Sequence, residues 1–113
     1  MLQSLLKATL LFADLDDASL DRVAATADER TLRRGDVLFT EGEESNTLYV
    51  VTEGRVAIAN KSIDGRESVV ALMEPGDLFG EMPLFDGLGR SAEARALEPS
   101  TVIEISYAPV MAL

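Results

Sequence analysis

The sequence predicts a mainly β fold, an antiparallel β-barrel or jelly roll with short flanking helices. Three observations support this prediction. From about residue 30 onward, apolar and polar residues alternate with a period of two, which is typical of half-buried strands. Along the same stretch, turn-forming pairs that contain glycine recur at intervals of about ten residues. Before residue 30 the apolar period is 3.6 instead, which indicates helices.

The predicted helices lie at the two ends of the chain. Leucines at helical spacing indicate a short amphipathic helix over about residues 2–9. A second helix begins after Asp16 or Asp17, because either side chain can accept hydrogen bonds from the first helical turn. Its apolar face consists of Leu20, Val23, Ala24 and Ala27. A third helix begins after Ser106, with Pro109 in its first turn, where proline is tolerated.

Six short apolar runs between these helices are predicted strands. They are Val37–Phe39, Leu48–Val51, Val56–Ala59, Val69–Met73, Ala92–Leu97 and Thr101–Ile105. Turns are predicted at Gly35-Asp36, Glu53-Gly54, Asp64-Gly65 and Pro75-Gly76-Asp77. With 113 residues, the chain is long enough for one domain and too short for two. We therefore predict a single domain over 1–113, with N-terminal helices over about 2–27, a barrel over about 30–106 and the start of a C-terminal helix over 107–113.

The composition excludes several kinds of site. The chain contains neither cysteine nor histidine. It therefore has no disulfide, no thiolate or imidazole metal ligand, no iron–sulfur sensor and no Ser-His-Asp triad. A metalloenzyme of the cupin type is excluded as well, because its metal ligands are mainly histidines. We predict no metal and no cofactor.

The charge of the chain limits its partners. Twenty acidic residues against ten basic ones give a formal net charge of −10. Because DNA phosphates would be repelled, we expect this segment not to bind DNA itself. No apolar run approaches the ~20 residues that cross a bilayer, and the N-terminus lacks the pattern of a signal peptide. We predict a cytoplasmic protein without membrane contact.

A helical turn predicted at Gly80–Phe85 interrupts the regular succession of strands, and such an interruption is where a site is expected. Gly80 and Glu81 open a short turn whose backbone N–H groups can point at an anion. Arg90 follows ten residues after Gly80, and its planar guanidinium suits a phosphate. An ionised Glu81 suits a ribose hydroxyl, because a carboxylate is a hydrogen-bond acceptor. Together these groups indicate a ligand that is both sugar and phosphate.

The sequence Phe79-Gly80-Glu81-Met82-Pro83-Leu84-Phe85-Asp86-Gly87-Leu88-Gly89-Arg90-Ser91-Ala92 resembles the phosphate-binding cassette of cyclic-nucleotide-binding domains, as found in the Crp/Fnr class of regulators. The turn glycines of that family recur in the same order in Arg34-Gly35-Asp36, Glu41-Gly42-Glu43, Thr52-Glu53-Gly54-Arg55-Val56 and Pro75-Gly76-Asp77. The resemblance implies that cyclic AMP, or a related cyclic nucleotide, binds to Gly80, Glu81, Met82, Arg90 and Ser91. It also implies that Val56 and Ile58 line the pocket. Ser91 is compatible with either cyclic AMP or cyclic GMP.

The resemblance further implies an allosteric sensor that makes and breaks no bond, so we predict no catalytic residue and no enzyme activity. Phosphate held by the amides of Gly80–Met82 and by Arg90 would pull the cassette inward, and a long C-terminal helix would report the movement. In the family that helix dimerises, covers the base and leads to a helix-turn-helix. We therefore expect the chain to be part of a longer protein that forms a homodimer and contacts DNA through a following domain. Without the covering helix, residues 1–113 are expected to bind the nucleotide weakly.

Two alternatives remain open from the sequence. The domain can instead regulate a larger enzyme or channel, because barrels of this family are attached to many outputs. It can also be a degenerate barrel that no longer binds nucleotide. Two residues favour that second alternative: Pro83 stands where small residues are usual, and Glu93 adds a carboxylate just beyond Arg90. Gly87 and Gly89 are interpreted as residues that simply let the loop turn.

Overall fold

The computed structural model of the protein describes residues 16–81 and 87–108. In these residues one helix, α1 (Asp17–Ala24), precedes eight strands. The strands are β1 (Asp28–Leu32), β2 (Val37–Phe39), β3 (Thr47–Glu53), β4 (Val56–Lys61), β5 (Glu67–Met73), β6 (Leu78–Phe79), β7 (Glu93–Ala96) and β8 (Ser100–Ser106). Tyr107 and Ala108, which follow β8, have helical backbone. The helix predicted over 2–9 and the remainder of the predicted C-terminal helix lie outside the described residues.

The strands form two four-stranded sheets in which every pairing is antiparallel. Sheet I has the order β1-β8-β3-β6, and sheet II has the order β2-β7-β4-β5. The prediction of a mainly β jelly roll with short flanking helices is therefore confirmed. Within the described ranges, no helix has the length and apolar character needed to span a bilayer.

The main core lies between the two sheets. Each strand presents alternate side chains to this layer, because successive residues of a strand point to opposite faces. The buried residues are Leu32, Leu38, Phe39, Tyr49, Val51, Val56, Phe79, Ala94, Ala96 and Val102. Ile58 and Met73 are partly buried at its border. This border is where the sandwich opens into a pocket.

Helix α1 covers the outer face of sheet I. Asp16 caps the helix by accepting a hydrogen bond from the Ser19 amide at 2.8 Å, as predicted for this position. Leu20 and Val23 of the helix are buried against Leu48, Val50 and Ile105 of the sheet. Because both faces of sheet I are covered, β3 is buried on both sides, and its apolar run is continuous rather than alternating.

All six predicted strands are present, and two further strands were missed. β1 is polar except for Leu32, because it lies at the edge of sheet I and buries little else. β6 has two residues, Leu78 and Phe79, which pair with Val50 and Tyr49 of β3. The apolar run of β5 is largely exposed, because β5 lies at the edge of sheet II.

The predicted turns contain glycines with positive φ. Two of them have the same construction: Asp36 accepts a hydrogen bond from the Arg33 amide, and Asp77 accepts one from the Glu74 amide, both at 2.8 Å. Gly54, between β3 and β4, is packed more tightly than either. Its φ is +81°, and a Cβ added there would lie 2.6 Å from the Pro99 carbonyl oxygen.

Candidate functional site

A pocket of about 160 Å³ opens at the border of the main core. Its walls come from four strands, β2, β4, β5 and β6, and from the residues on either side of the loop that leads to Arg90. The lining residues are Phe39, Ile58, Met73, Leu78, Phe79, Gly80, Glu81, Arg90, Ser91 and Ala92. Most of these side chains are apolar, and the polar groups are concentrated at one end.

Arg90 is the principal polar group of the pocket. The residue is 5% exposed, and its two terminal nitrogens donate to main-chain oxygens, Nη1 to Gly80 and Nη2 to Thr47, each at 2.7 Å. Longer contacts of 3.4 Å join Nη1 to the Tyr107 hydroxyl and Nη2 to the Thr47 hydroxyl. In the described part of the chain, the buried Nε has no hydrogen-bond partner. The guanidinium is thus fixed by neutral acceptors.

Aromatic rings pack against this cation. The Arg90 Cζ atom lies 4.0 Å from the centroid of the Phe39 ring and 5.6 Å from that of Tyr49. The rings of Phe39, Tyr49 and Phe79 also contact one another, with centroids 5.4–6.2 Å apart. Their faces attract a cation electrostatically while keeping water away from it. Such surroundings hold the guanidinium in place without neutralising its charge.

The backbone of Arg90 is held by the loop between β2 and β3. The Gly42 amide donates to the Arg90 carbonyl oxygen at 2.7 Å, and the Arg90 amide donates to the Glu43 carbonyl oxygen at 2.8 Å. A Cβ on Gly89 would lie 2.9 Å from the Gly42 carbonyl oxygen. Gly89 is therefore required for this close approach of two backbones, which corrects its interpretation as a simple turn residue.

Position 80 requires glycine for two reasons. Its φ is +80°, which disfavours side chains. A Cβ there would also lie 2.9 Å from Nη1 of Arg90 and 3.2 Å from the Tyr49 ring. The guanidinium can reach the Gly80 carbonyl oxygen in this way because no side chain stands between them.

The comparison with known families decides the family of this domain. The family model for the cyclic nucleotide-binding domain matches residues 29–113. The chain belongs to the cyclic nucleotide-binding domain family. The predicted family is thereby confirmed, and the match covers most of the chain. A cyclic AMP receptor protein among the relatives confirms the resemblance to Crp/Fnr regulators.

Three relatives show the range of proteins that carry such a domain. The chain is 32% identical to the cyclic AMP receptor protein of Thermus thermophilus over 108 residues, which are 96% of this chain and 50% of that protein. It superposes with a TM-score of 0.92 on the regulatory domain of Toxoplasma gondii PKA, solved with cAMP, at 30% identity, over 98% of this chain and 42% of that one. The N-terminal domain of a Streptomyces coelicolor transcriptional regulator gives a TM-score of 0.82 at 40% identity, over 96% and 76%. The chain thus spans about half the length of the Thermus relative.

The structure brings most of the predicted site residues of this cyclic nucleotide-binding domain together. Gly80, Glu81, Arg90 and Ser91 line one pocket, and Ile58 lines its apolar side. Met82, predicted to contribute an amide, and Pro83 lie outside the described residues.

The prediction that Val56 lines the pocket is corrected. Val56 is fully buried in the main core and is not among the lining residues. Ile58 and Val56 point to the same face of β4, since they are two residues apart. Val56 is completely surrounded by core residues, whereas Ile58 lies where the core borders the pocket. A step of two residues along β4 therefore leads from the core to the pocket wall.

Glu93 was expected to weaken anion binding, but its carboxylate is turned away from the pocket. Ala92 and Ala94 are buried on the inner side of sheet II, so Glu93 between them faces outward. There it pairs with Arg95 at 3.1 Å, and Arg95 also binds Glu67. The hydrogen bond from Arg95 lowers the pKa of Glu67. Both carboxylates are therefore engaged on the far side of the sheet.

Sequence reasoning missed the residues that hold Arg90. Thr47 and Tyr107, which contact Arg90, and Ser45, which contacts Tyr107, are distant from Arg90 in sequence, and no short motif marks them. The aromatic cluster left a weak signal, because aromatic residues make up only 5% of the chain. Three of the six aromatic residues, Phe39, Tyr49 and Phe79, nevertheless pack together next to the Arg90 guanidinium.

Proposed function

We propose that the domain binds a cyclic nucleotide, cyclic AMP in the first instance, and serves as the sensing domain of a Crp/Fnr-type transcription regulator. One observation carries this proposal. Arg90 is almost fully buried, and no carboxylate of the described residues forms an ion pair with it. A buried cation held only by neutral groups remains costly until an anion approaches it. A cyclic phosphate supplies that charge.

The pocket suggests how the ligand is divided among its residues. The phosphate lies beside Arg90 and the Gly80–Glu81 backbone, which line the pocket, and the Met82 amide is proposed as a further donor. Glu81 accepts a hydrogen bond from the ribose 2′-hydroxyl, and Ser91 lies beside the phosphate. A volume of about 160 Å³ is small for a whole nucleotide, since ligand pockets are commonly about 300 Å³ or more. The pocket therefore receives the ribose phosphate, and the base projects outward.

The proposed role involves binding without catalysis. The relatives are transcriptional regulators or domains of them. A ligand that binds one of two conformations more tightly shifts the population toward that conformation, which is sufficient for a regulatory switch. The chain spans about half the length of the Thermus relative, and we propose that dimerisation and DNA binding belong to the other part of such a regulator. The cytoplasmic location expected from the sequence remains a prediction.

A second candidate function is regulation of a larger enzyme such as a kinase. The superposition on the Toxoplasma PKA regulatory domain, at a TM-score of 0.92, favours it. The alternative of a degenerate barrel is weakened, because Glu93 is paired with Arg95 away from the pocket. The kind of domain encoded next to this one distinguishes the regulator from the enzyme.

Isothermal titration with cyclic AMP and cyclic GMP, at one stated salt concentration, tests the proposal. We expect saturable binding at one site per chain, which weakens as salt is raised because the contact with Arg90 is electrostatic. Acyclic adenosine monophosphate serves as the control for the cyclic phosphate and is expected to bind more weakly. No binding of either cyclic nucleotide would favour the degenerate barrel.

We expect a Glu81→Ala variant to lose the preference for ribose over 2′-deoxyribose, because alanine has no side-chain acceptor. The wild type should prefer cyclic AMP over its 2′-deoxy analogue by roughly 10- to 150-fold, because a hydrogen bond to a charged carboxylate contributes about 1.5–3 kcal/mol. Glu74→Ala, which removes an exposed carboxylate, serves as the matched control. If wild type and the Glu81 variant discriminate equally, Glu81 is a solvated surface residue.

A further inference from the structure

The carbonyl oxygen of Gly80 is shared by two donors. Arg90 Nη1 reaches it at 2.7 Å, and the hydroxyl of Tyr107 donates to the same atom. Tyr107 is 6% exposed and lies in the chain immediately after β8. Its hydroxyl is thus brought to the pocket from a segment that the site prediction did not include.

Fixing this oxygen also fixes an amide. The Gly80 carbonyl and the Glu81 N–H belong to one planar trans peptide, so they point in opposite directions. When Arg90 and Tyr107 hold the oxygen, the Glu81 N–H is directed away from both of them. This amide is one of the proposed phosphate donors, and its direction is therefore set by Tyr107 as well as by Arg90.

Tyr107 is itself anchored at both of its ends. Its hydroxyl contacts Ser45 Oγ at 2.7 Å, and its backbone amide donates to the Asn46 carbonyl oxygen at 2.8 Å. Ser45 and Asn46 precede Thr47, whose carbonyl oxygen holds the other arm of Arg90. A single connected set of contacts therefore joins the guanidinium, the Gly80 peptide and the chain that leaves β8.

We propose that Tyr107 is a positioning residue for the phosphate contact and links occupancy of the pocket to the orientation of the chain after β8. This inference rests on the proposed function. Thermodynamic linkage makes this effect reciprocal: if the hydrogen bond from Tyr107 to Gly80 strengthens ligand binding, then ligand binding strengthens that hydrogen bond to the same extent. The residue thus acts through Gly80 and Arg90 rather than by touching the ligand.

Nuclear magnetic resonance of isotope-labelled tyrosine tests the link in the wild-type chain. The protein has two tyrosines and no tryptophan, so Tyr49→Phe assigns the two Cζ signals. During titration with cyclic AMP, we expect the Tyr107 signal to shift along the binding isotherm measured by calorimetry. Binding without a shift of Tyr107 would overturn the inference and leave the proposed function intact. Absence of binding would overturn both.

Removing the hydroxyl tests the positioning role. We expect Tyr107→Phe to weaken cyclic AMP binding about 2- to 10-fold, which is the range for one neutral hydrogen bond. Thr52→Val is the matched control, because it also removes one hydroxyl, which donates to the Thr101 carbonyl oxygen and lies outside the pocket lining. A smaller effect on binding is expected from it. Equal effects of the two substitutions, or no effect of Tyr107→Phe, would contradict the proposal. The measurement on the wild type decides the case if a variant does not fold.

Discussion

An Arg90→Ala variant is expected to lose about 2–4 kcal/mol of cyclic nucleotide binding, or roughly 30- to 1,000-fold in affinity. The substitution removes the one cation that lines the pocket in the described residues, in a chain whose net charge is −10. A ligand phosphate would then be buried without a charge-assisted donor. Calorimetric titration of wild type and variant measures the loss.

The fold of this variant must be checked, because the carbonyl oxygens of Gly80 and Thr47 also lose their donors. Thermal unfolding measures that effect separately. Arg90→Lys keeps the charge without the planar fork and is expected to bind with intermediate affinity. Arg66→Ala, whose side chain is 86% exposed, controls for the change of net charge. A folded Arg90→Ala variant with an unchanged isotherm would remove Arg90 from the binding site.

A Gly54→Ala substitution is expected to lower the free energy of unfolding by about 2–4 kcal/mol, through backbone strain and steric overlap. The new Cβ would overlap the backbone of Pro99 and the side chain of Ser100. Ser100 cannot move freely, because its hydroxyl accepts from the Arg55 amide and donates to the Glu98 carbonyl oxygen. Chemical denaturation of both proteins gives the difference.

Gly65→Ala is the matched control for this prediction. Gly65 has nearly the same φ, +83°, but no atom would lie within 4 Å of a Cβ added there. The control variant therefore reports the backbone strain alone, about 1 kcal/mol. The excess loss in Gly54→Ala measures the steric part. Equal losses in the two variants would show that the structure around Gly54 relaxes without cost.

The strands with apolar runs could be predicted from the sequence, because burial imposes a visible pattern on them. β2 has the predicted bounds, Val37–Phe39, and β3 was detected by its uninterrupted run. β1 could not be found in this way, since four of its five residues are polar. Its place at the edge of sheet I depends on pairing with β8, and pairing between distant segments leaves no local signal.

The site was predictable where its residues form one motif and unpredictable where they meet in space. Gly80, Glu81 and Arg90 lie close together in the chain, and the structure brings them to one pocket; their roles toward a ligand remain predictions. Thr47 approaches Arg90 from β3, and Tyr107 approaches it from the chain just after β8. For Glu93 the sequence was misleading. Because Glu93 is close to Arg90 in the chain, its carboxylate was expected to act on the same anion site, but the two side chains lie on different sides of sheet II.

The pairing of β8 affects the order in which the domain can form. This strand lies between β1 and β3, and Asp28 is paired with Glu104 near the other end of the described chain. Sheet I cannot close until almost all of these residues have left the ribosome. A fold dominated by such distant pairings closes large loops before it gains contacts, and typically folds in milliseconds to seconds. During synthesis, the apolar side chains of β3 therefore stay exposed until β8 has been made and can pair with β3. A chain stopped before β8 would keep them exposed and would be prone to aggregate.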